Sequence, residues 1–452
     1  MTTPSLSWAG SALRADRASE PVLWAMGVIL FGFASIGPTL HHRFGAAAHM
    51  GLIAVWAIAA AYAASIAGAA ETRRALWIIL VAALAMRGAM LFAYPYLSTD
   101  IWRYVWDGRV QGAGINPYRY LPVAPELAHL RDAAIYPNIN RATYAPTVYP
   151  PAAQMAFWLI TRFSDSMIAM KAGMVAFEGL AVASLIAILA RLGRPLTAVA
   201  AYAWHPLPIW EIAGNGHVDA VMTAFVMLGL WAYLAGRVSL AGVLAVAGAL
   251  AKPTALLALP VFWAPRNWRL VAVVAAACGL LYLPYLSVGW QALGFAAGYA
   301  REEGLADGRG FWLLQVVRWP LGVVDPKFYY VLAAGLIGGL ALRVGFRSDR
   351  SPAASIAALH WLLVAFLLLL STNYPWYFVV LAPFCVLTRY VTPWLLTVAA
   401  VVLYDVIPGD TTALPATAAK LLFYGAGVAA AIYDLGFSSR AGHRLASGEA
   451  IA

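Results

Sequence analysis

RRALWIILVAALAMRGAMLFAYPYLSTDIWRYVWDGRVQGAGINPY, residues 73–118, opens on two arginines, stays apolar for about twenty residues, then turns polar at Asp100. An apolar run of that length is what a helix needs to cross about 30 Å of hydrocarbon. Comparable runs recur near 21–40, 46–70, 166–191, 196–213, 217–235, 270–287, 327–345, 353–371, 374–389, 391–408 and 415–435. Two further segments are ambiguous. Residues 150–162 are short, and 238–263 are interrupted by Lys252-Pro253, so each reads as a re-entrant or broken helix. Of the 452 residues, 63% are hydrophobic and only 11% charged, with mean hydropathy +0.75, far from soluble globular usage. The sequence therefore predicts an all-α polytopic membrane protein with about 12 to 14 membrane helices, forming one integral domain over 1–452.

The formal charge of +10 does not point to nucleic acid, because the basic residues sit in short turns between apolar runs. Arg73-Arg74, Arg191 and Arg194, Arg266 and Arg269, and Arg343, Arg347 and Arg350 follow the positive-inside pattern. With those turns and the N-terminal Arg14 and Arg17 in the cytoplasm, three spans carry the 97–150 loop outside. The same parity puts the turn at 214–217, the loop 288–326 and the turn 371–377 on that face. Cys278 and Cys385 lie in apolar stretches and read as small buried residues, with no redox role. Residues 21–40 follow a polar start without a small-residue cleavage pattern and read as a retained anchor.

The 97–150 loop carries the chemistry. Asp100, Arg103, Tyr104 and Asp107 are spaced to share one face of a helix over 99–110, with Trp102, Trp106 and Arg109 on the neighbouring face. The aromatic content predicts an interfacial helix lying on the outer leaflet. A carboxylate held there is partly desolvated, which raises its proton affinity and suits it to accept a proton from a hydroxyl; Arg103 opposes that shift. Gly112, Gly114 and Asn116-Pro117 then end the helix and turn the chain. Tyr118, Tyr120, Tyr136, Tyr144, Tyr149, Arg119, Arg131 and Arg141 follow before the chain re-enters the membrane at Tyr149-Pro150-Pro151.

The order DIWRYVWDGRVQGAGINPY followed by YPP resembles the first large external loop of the glycosyltransferase C superfamily, especially bacterial polyprenyl-phosphate-mannose-dependent mannosyltransferases. The likeness is strongest over 94–160 and weaker over 204–260. It implies a glycosyltransferase C type helix bundle with a large external catalytic loop, in a bacterial inner membrane, with the active site facing the periplasm. It further implies inverting transfer of a single hexose, mannose foremost, from a polyprenyl-phosphate carrier to the hydroxyl of a glycan, glycolipid or protein. The general base of that family falls on Asp100. Many relatives pair two adjacent acids where this chain has Thr99 before Asp100, so Asp107 becomes the candidate second carboxylate. Lys252-Pro253 resembles a Lys-Pro found in many relatives, making Lys252 or a loop arginine such as Arg141 the candidate for donor phosphate. Arg103 and Arg109 are further candidates for phosphate or charge balance, and Asn116, Tyr149, Asn215 and His217 for shaping the sugar pocket.

Glu211, Asn215, His217 and Asp219 surround a Gly-x-Gly turn but match no established ligand spacing, and a polar helix-helix turn explains them without a metal. No metal and no cofactor are expected, since a phosphate leaving group needs only cationic stabilisation. Arg87, Lys171, Glu178 and Lys252 fall within apolar runs, where each would cost roughly 2.5–3.5 kcal/mol unless it pairs, snorkels or lines a cavity. Asn373, Tyr374, Trp376 and Tyr377 read first as an aromatic belt, second as a wall stacking on sugar or prenyl. The 288–326 loop, with Arg301, Glu302, Glu303, Asp307, Arg309 and Arg318, is polar enough to cap the site or to recruit the acceptor. Intramembrane charge and a broken helix also suit a transporter or flippase of a lipid-linked sugar, the alternative reading.

Overall fold

The computed structural model describes residues 19–95, 98–265, 267–322, 324–370, 374–406 and 416–447. Arg14, Arg17, Leu97, Arg266 and Asn373 therefore lie outside the described residues. Every regular element among the described residues is helical. Helix α1 (Ser19–Ala69) is broken at Gly45, whose φ of 74° lies in the left-handed region that glycine enters freely. Its two halves, Glu20–Gly45 and Ala47–Ala69, fold back on each other, with Phe33 packed on Trp56 at 6.3 Å. The expected separation of two spans near residue 45 is thus present.

Helix α2 (Arg73–Leu91) is capped by Thr72, whose Oγ1 accepts from Ala75 N at 2.9 Å and donates to Glu20 at 2.9 Å. Glu20, Thr72 and Arg74 therefore share one end of the bundle; Gly45, Leu91 and Asp100 share the other. Helix α3 (Asp100–Gly112) packs on α4 (Pro151–Thr161) across Gly108, where any added Cβ would stand 2.6 Å from Phe157 O. Helix α5 (Met167–Arg191) then runs roughly 37 Å back across the bundle. At its far end Arg191 donates to Leu234 O at 2.5 Å, Arg194 to the carbonyls of Val386 and Leu387, and Arg350 to those of Trp263 and Gly345. The basic turns thus cap helix C-termini on the face opposite Asp100.

Among the described residues, eight helices are long and apolar enough to cross a membrane. Five shorter apolar helices accompany them, at 219–234, 238–249, 253–262, 375–387 and 392–404. The expectation of 12 to 14 counted such broken elements as spans. Residues 196–213 are the plainest correction: Pro206 and Pro208 lack amide donors, and the segment divides into 3-10, α and π turns. Residues 199–215 are all buried, so this irregular backbone meets protein and not lipid. The break at Lys252-Pro253 is found as expected: helix Val238–Ala249 ends, Lys252 is extended, and Pro253 starts a 3-10 turn.

All four intramembrane charges find partners inside the bundle, Lys252 with Asp219. Arg87 grips Glu178 through two bonds of 2.7 and 2.5 Å and donates to Ala203 O at 2.8 Å. Lys171 donates to the carbonyls of Met90, Leu91 and Ala93 at the end of α2, so it fastens α5 to that corner.

Candidate active site

Asp100 occupies the first turn of α3, where the helix dipole favours an anion. Asn140 Nδ2 donates to its Oδ1 at 2.8 Å, and Tyr149 lies close enough to act on it electrostatically. Burial pushes its carboxyl above the usual range, against the opposing pull of Arg141, the Asn140 bond and Lys252. Part of the residue nonetheless remains open. An acid in this setting holds a proton more firmly than usual yet stays reachable.

Arg141 is held in the left-handed region at φ 57°, unfavourable for a side chain of its size and a mark of a built site. It bonds Glu302 Oε2 at 2.5 Å, lies 3.8 Å from Glu303, and sits over the Tyr299 ring at 5.5 Å. Tyr299, Glu302 and Glu303 of the 288–326 loop therefore pack against Arg141. Burial pushes the Glu303 carboxyl up, against its bond from Tyr374 and the charge of Arg141.

The extended break at 252 delivers Lys252 to the same place. Its Nζ lies 2.7 Å from Asp219 Oδ1 and 3.5 Å from the Tyr377 ring centroid, and the Tyr377 and Tyr299 hydroxyls are 2.8 Å apart. Asp219 opens its helix from the turn 214–217. Gly216, at φ 76°, has Ile101 Cδ1 only 2.6 Å from where a Cβ would stand, so the turn can press on α3 only as glycine. His217 stacks on Trp376 at 4.2 Å, and Trp376 stacks on Tyr374 at 4.6 Å. Trp376 is buried against His217 and Tyr374, so it does not stand in a lipid-facing belt.

Five predicted residues thus meet in one region: Asp100, Arg141, Tyr149, His217 and Lys252. Asn215 stands beside them, donating to Glu211 Oε2 at 3.1 Å and to the Tyr404 hydroxyl at 3.2 Å, while Tyr404 also bonds Glu211. The remaining predicted residues are engaged elsewhere. Asp107 accepts from Arg103 at 2.8 Å, Thr147 at 2.6 Å and Gln154 at 2.8 Å, so this buried carboxylate has no oxygen left to act as a base. Arg103 further donates to Asn140 O and Ala145 O, which pins the strand of loop carrying Asn140 and Arg141 against α3. Arg109 is committed to Asp132 at 2.6 Å and Asp165 at 2.9 Å. Asn116 docks the turn onto Tyr285 O and Ser287. Nor does α3 lie on the leaflet: residues 101–108 are buried, with Trp106 packed on Tyr136 at 5.7 Å, because the loop and α4 cover it.

Asn140, Tyr299, Glu302 and Glu303 were not singled out from sequence. Asn140 carried no distinguishing signal, and the capping acids gave only the polarity of their loop. Among the described residues there is no group of three or more His, Cys, Asp or Glu able to hold a metal ion.

Residues 5–267 match the family described as Alpha-(1->6)-mannopyranosyltransferase, N-terminal domain, more than half of the chain. The chain belongs to this family. The matched part contains Asp100, Arg141, Tyr149, His217, Asp219 and Lys252; Tyr299, Glu302, Glu303 and Tyr377 follow it. Alpha-(1->6)-mannopyranosyltransferase A of Mycobacterium tuberculosis (strain ATCC 25618 / H37Rv) is 25% identical over 354 residues, covering 68% of this chain. The match spans 63% of that relative's length, less than two thirds. No solved structure matches the chain.

Proposed function

We propose that this protein transfers a single mannose from a polyprenyl-phosphate carrier to an acceptor hydroxyl, with inversion, at the periplasmic face of a bacterial inner membrane. The observation that carries the reading is the meeting of Asp100 with two reachable cations, Arg141 and Lys252, at the end of the bundle opposite the basic turns. Family membership supplies the sugar and the reaction class. A carrier of this kind keeps its chain in the bilayer and presents phosphate and sugar at the surface, which suits a site at one end of the helix bundle.

The chemistry follows from their roles. The acceptor oxygen attacks the anomeric carbon while Asp100 takes its proton; the carbon–phosphate oxygen bond breaks with its electron pair on the departing polyprenyl phosphate. Arg141 and Lys252 offset the charge growing on that phosphate. One displacement inverts the anomeric centre, and no covalent enzyme intermediate forms. Arg103, fully buried against Asp107, and Arg109, held by Asp132 and Asp165, are not among the cations acting on Asp100 and take no part at the phosphate.

The test is transfer by the purified protein from radiolabelled polyprenyl-phosphate-mannose to envelope glycolipid in detergent. The reading requires labelled glycolipid together with free polyprenyl phosphate. Intact donor moved across vesicle membranes without cleavage would establish the flippase alternative instead.

A further inference from the structure

The second carboxylate of the site is Asp219. It is 1% exposed and stands among the same groups as Asp100, acting electrostatically on both Asp100 and Tyr104. Its Oδ1 is taken by Lys252, but Oδ2 is buried with no hydrogen-bond partner. Two residues earlier on the same turn, His217 is also 1% exposed, and neither ring nitrogen makes a hydrogen bond. Its Nε2 lies 3.4 Å from Glu211 Oε2 without bonding geometry. Three acceptor or donor atoms thus stand unpaired on a stretch of three residues, 217–219, with the His217 ring stacked on Trp376 and Trp376 on Tyr374. Buried polar atoms go unpaired at real cost, and such a group in a folded protein calls for an explanation. A hydroxyl-bearing ring lying against an aromatic face supplies one, since each hydroxyl can donate to a carboxylate oxygen and accept from an imidazole N–H.

We infer that Asp219 Oδ2 and His217 hold ring hydroxyls of the transferred hexose, so that the residue steering Lys252 toward phosphate also reads the sugar attached to it. The inference rests on the mannosyl-transfer reading and adds to it the subsite that recognises the donor's sugar. Asp219 binds substrate here and is not a second base, because its proton-accepting oxygen is occupied by the hexose while Asp100 faces the acceptor.

The experiment compares Asp219→Asn with the unaltered protein on polyprenyl-phosphate-mannose and on a series of donors each lacking one ring hydroxyl. Asp219→Asn should raise the donor KM by roughly 10- to 100-fold, the strength of a hydrogen bond to a charged group. For the donor missing the hydroxyl that Asp219 holds, the unaltered protein should already show that loss, and the substitution should add less than about 3-fold to it. His217→Ala should show the same pattern with a different deoxy donor. Equal losses from Asp219→Asn on every donor would overturn the inference, since Asp219 would then act only through Lys252. Binding of sugar-free polyprenyl phosphate, measured in parallel, checks that the variant is folded and that Lys252 is in place. If the unaltered protein cleaves no polyprenyl-phosphate-hexose at all, it is the underlying function that fails and not the assignment of Asp219.

Discussion

Asp100 and Asp107 look interchangeable along the chain: both acids, seven residues apart on one helix, each within two residues of a tryptophan. What separates them is the company each keeps. Asp107 is buried and engaged on both oxygens by Arg103, Thr147 and Gln154, partners up to 47 positions away, whereas Asp100 has Asn140 on one oxygen and is part-exposed. The family resemblance pointed to Asp100 by its place just after a span, but the long-range partners that occupy Asp107 left no mark in the sequence. Burial raises the proton affinity of Asp100, and a base works only when deprotonated, so turnover should fall on the acid side at a pH above the ordinary carboxylate value near 4. Arg141 opposes that shift. In Arg141→Gln the acid limb of the pH–rate profile should therefore move to still higher pH, and the rate at the optimum should drop at least about 10-fold through the lost phosphate contact. A limb that stays in place would show that Arg141 does not act on Asp100.

At the scale of elements, glycine and paired charge let irregular segments approach one another. Gly216→Ala would force a side chain into a left-handed turn and place its Cβ 2.6 Å from Cδ1 of Ile101, the neighbour of Asp100, and should lower stability by about 1–3 kcal/mol along with turnover. Thermal unfolding in detergent with a parallel rate measurement checks both. Between α2 and α5, Arg87→Met leaves Glu178 buried and unpaired, a loss of about 3–5 kcal/mol, and adding Glu178→Leu should restore much of it. Unfolding of the single and double variants closes that cycle; an additive double variant would mean that the pair is not coupled. The long spans and the Lys252-Pro253 break were legible because length and a lone proline in an apolar run have direct backbone consequences. The fragmentation of 196–213 was signalled in the same way by Pro206 and Pro208, but the apolar residues on either side of them made the run read as a single span.

Across the whole molecule, one face gathers arginines capping helix ends and the other gathers the acids, aromatics and two reachable cations of the site. Charge placement made that polarity readable before any contact was known, whereas the capping of Arg141 by Glu302 joins positions 161 apart and is set by folding alone. In protein whose Cys278 and Cys385 are replaced by serine, a cysteine at Asp132 should react with a membrane-impermeant thiol reagent applied to intact spheroplasts, and one at Arg350 only after lysis. The reverse pattern would place the site in the cytoplasm. The most direct test of the account remains Asp100→Asn in the mannosyl-transfer assay. If Asp100 is the base, the variant inserts and unfolds like the parent, still binds polyprenyl phosphate, and transfers mannose slower by at least about 100-fold; parental turnover from that variant would contradict it.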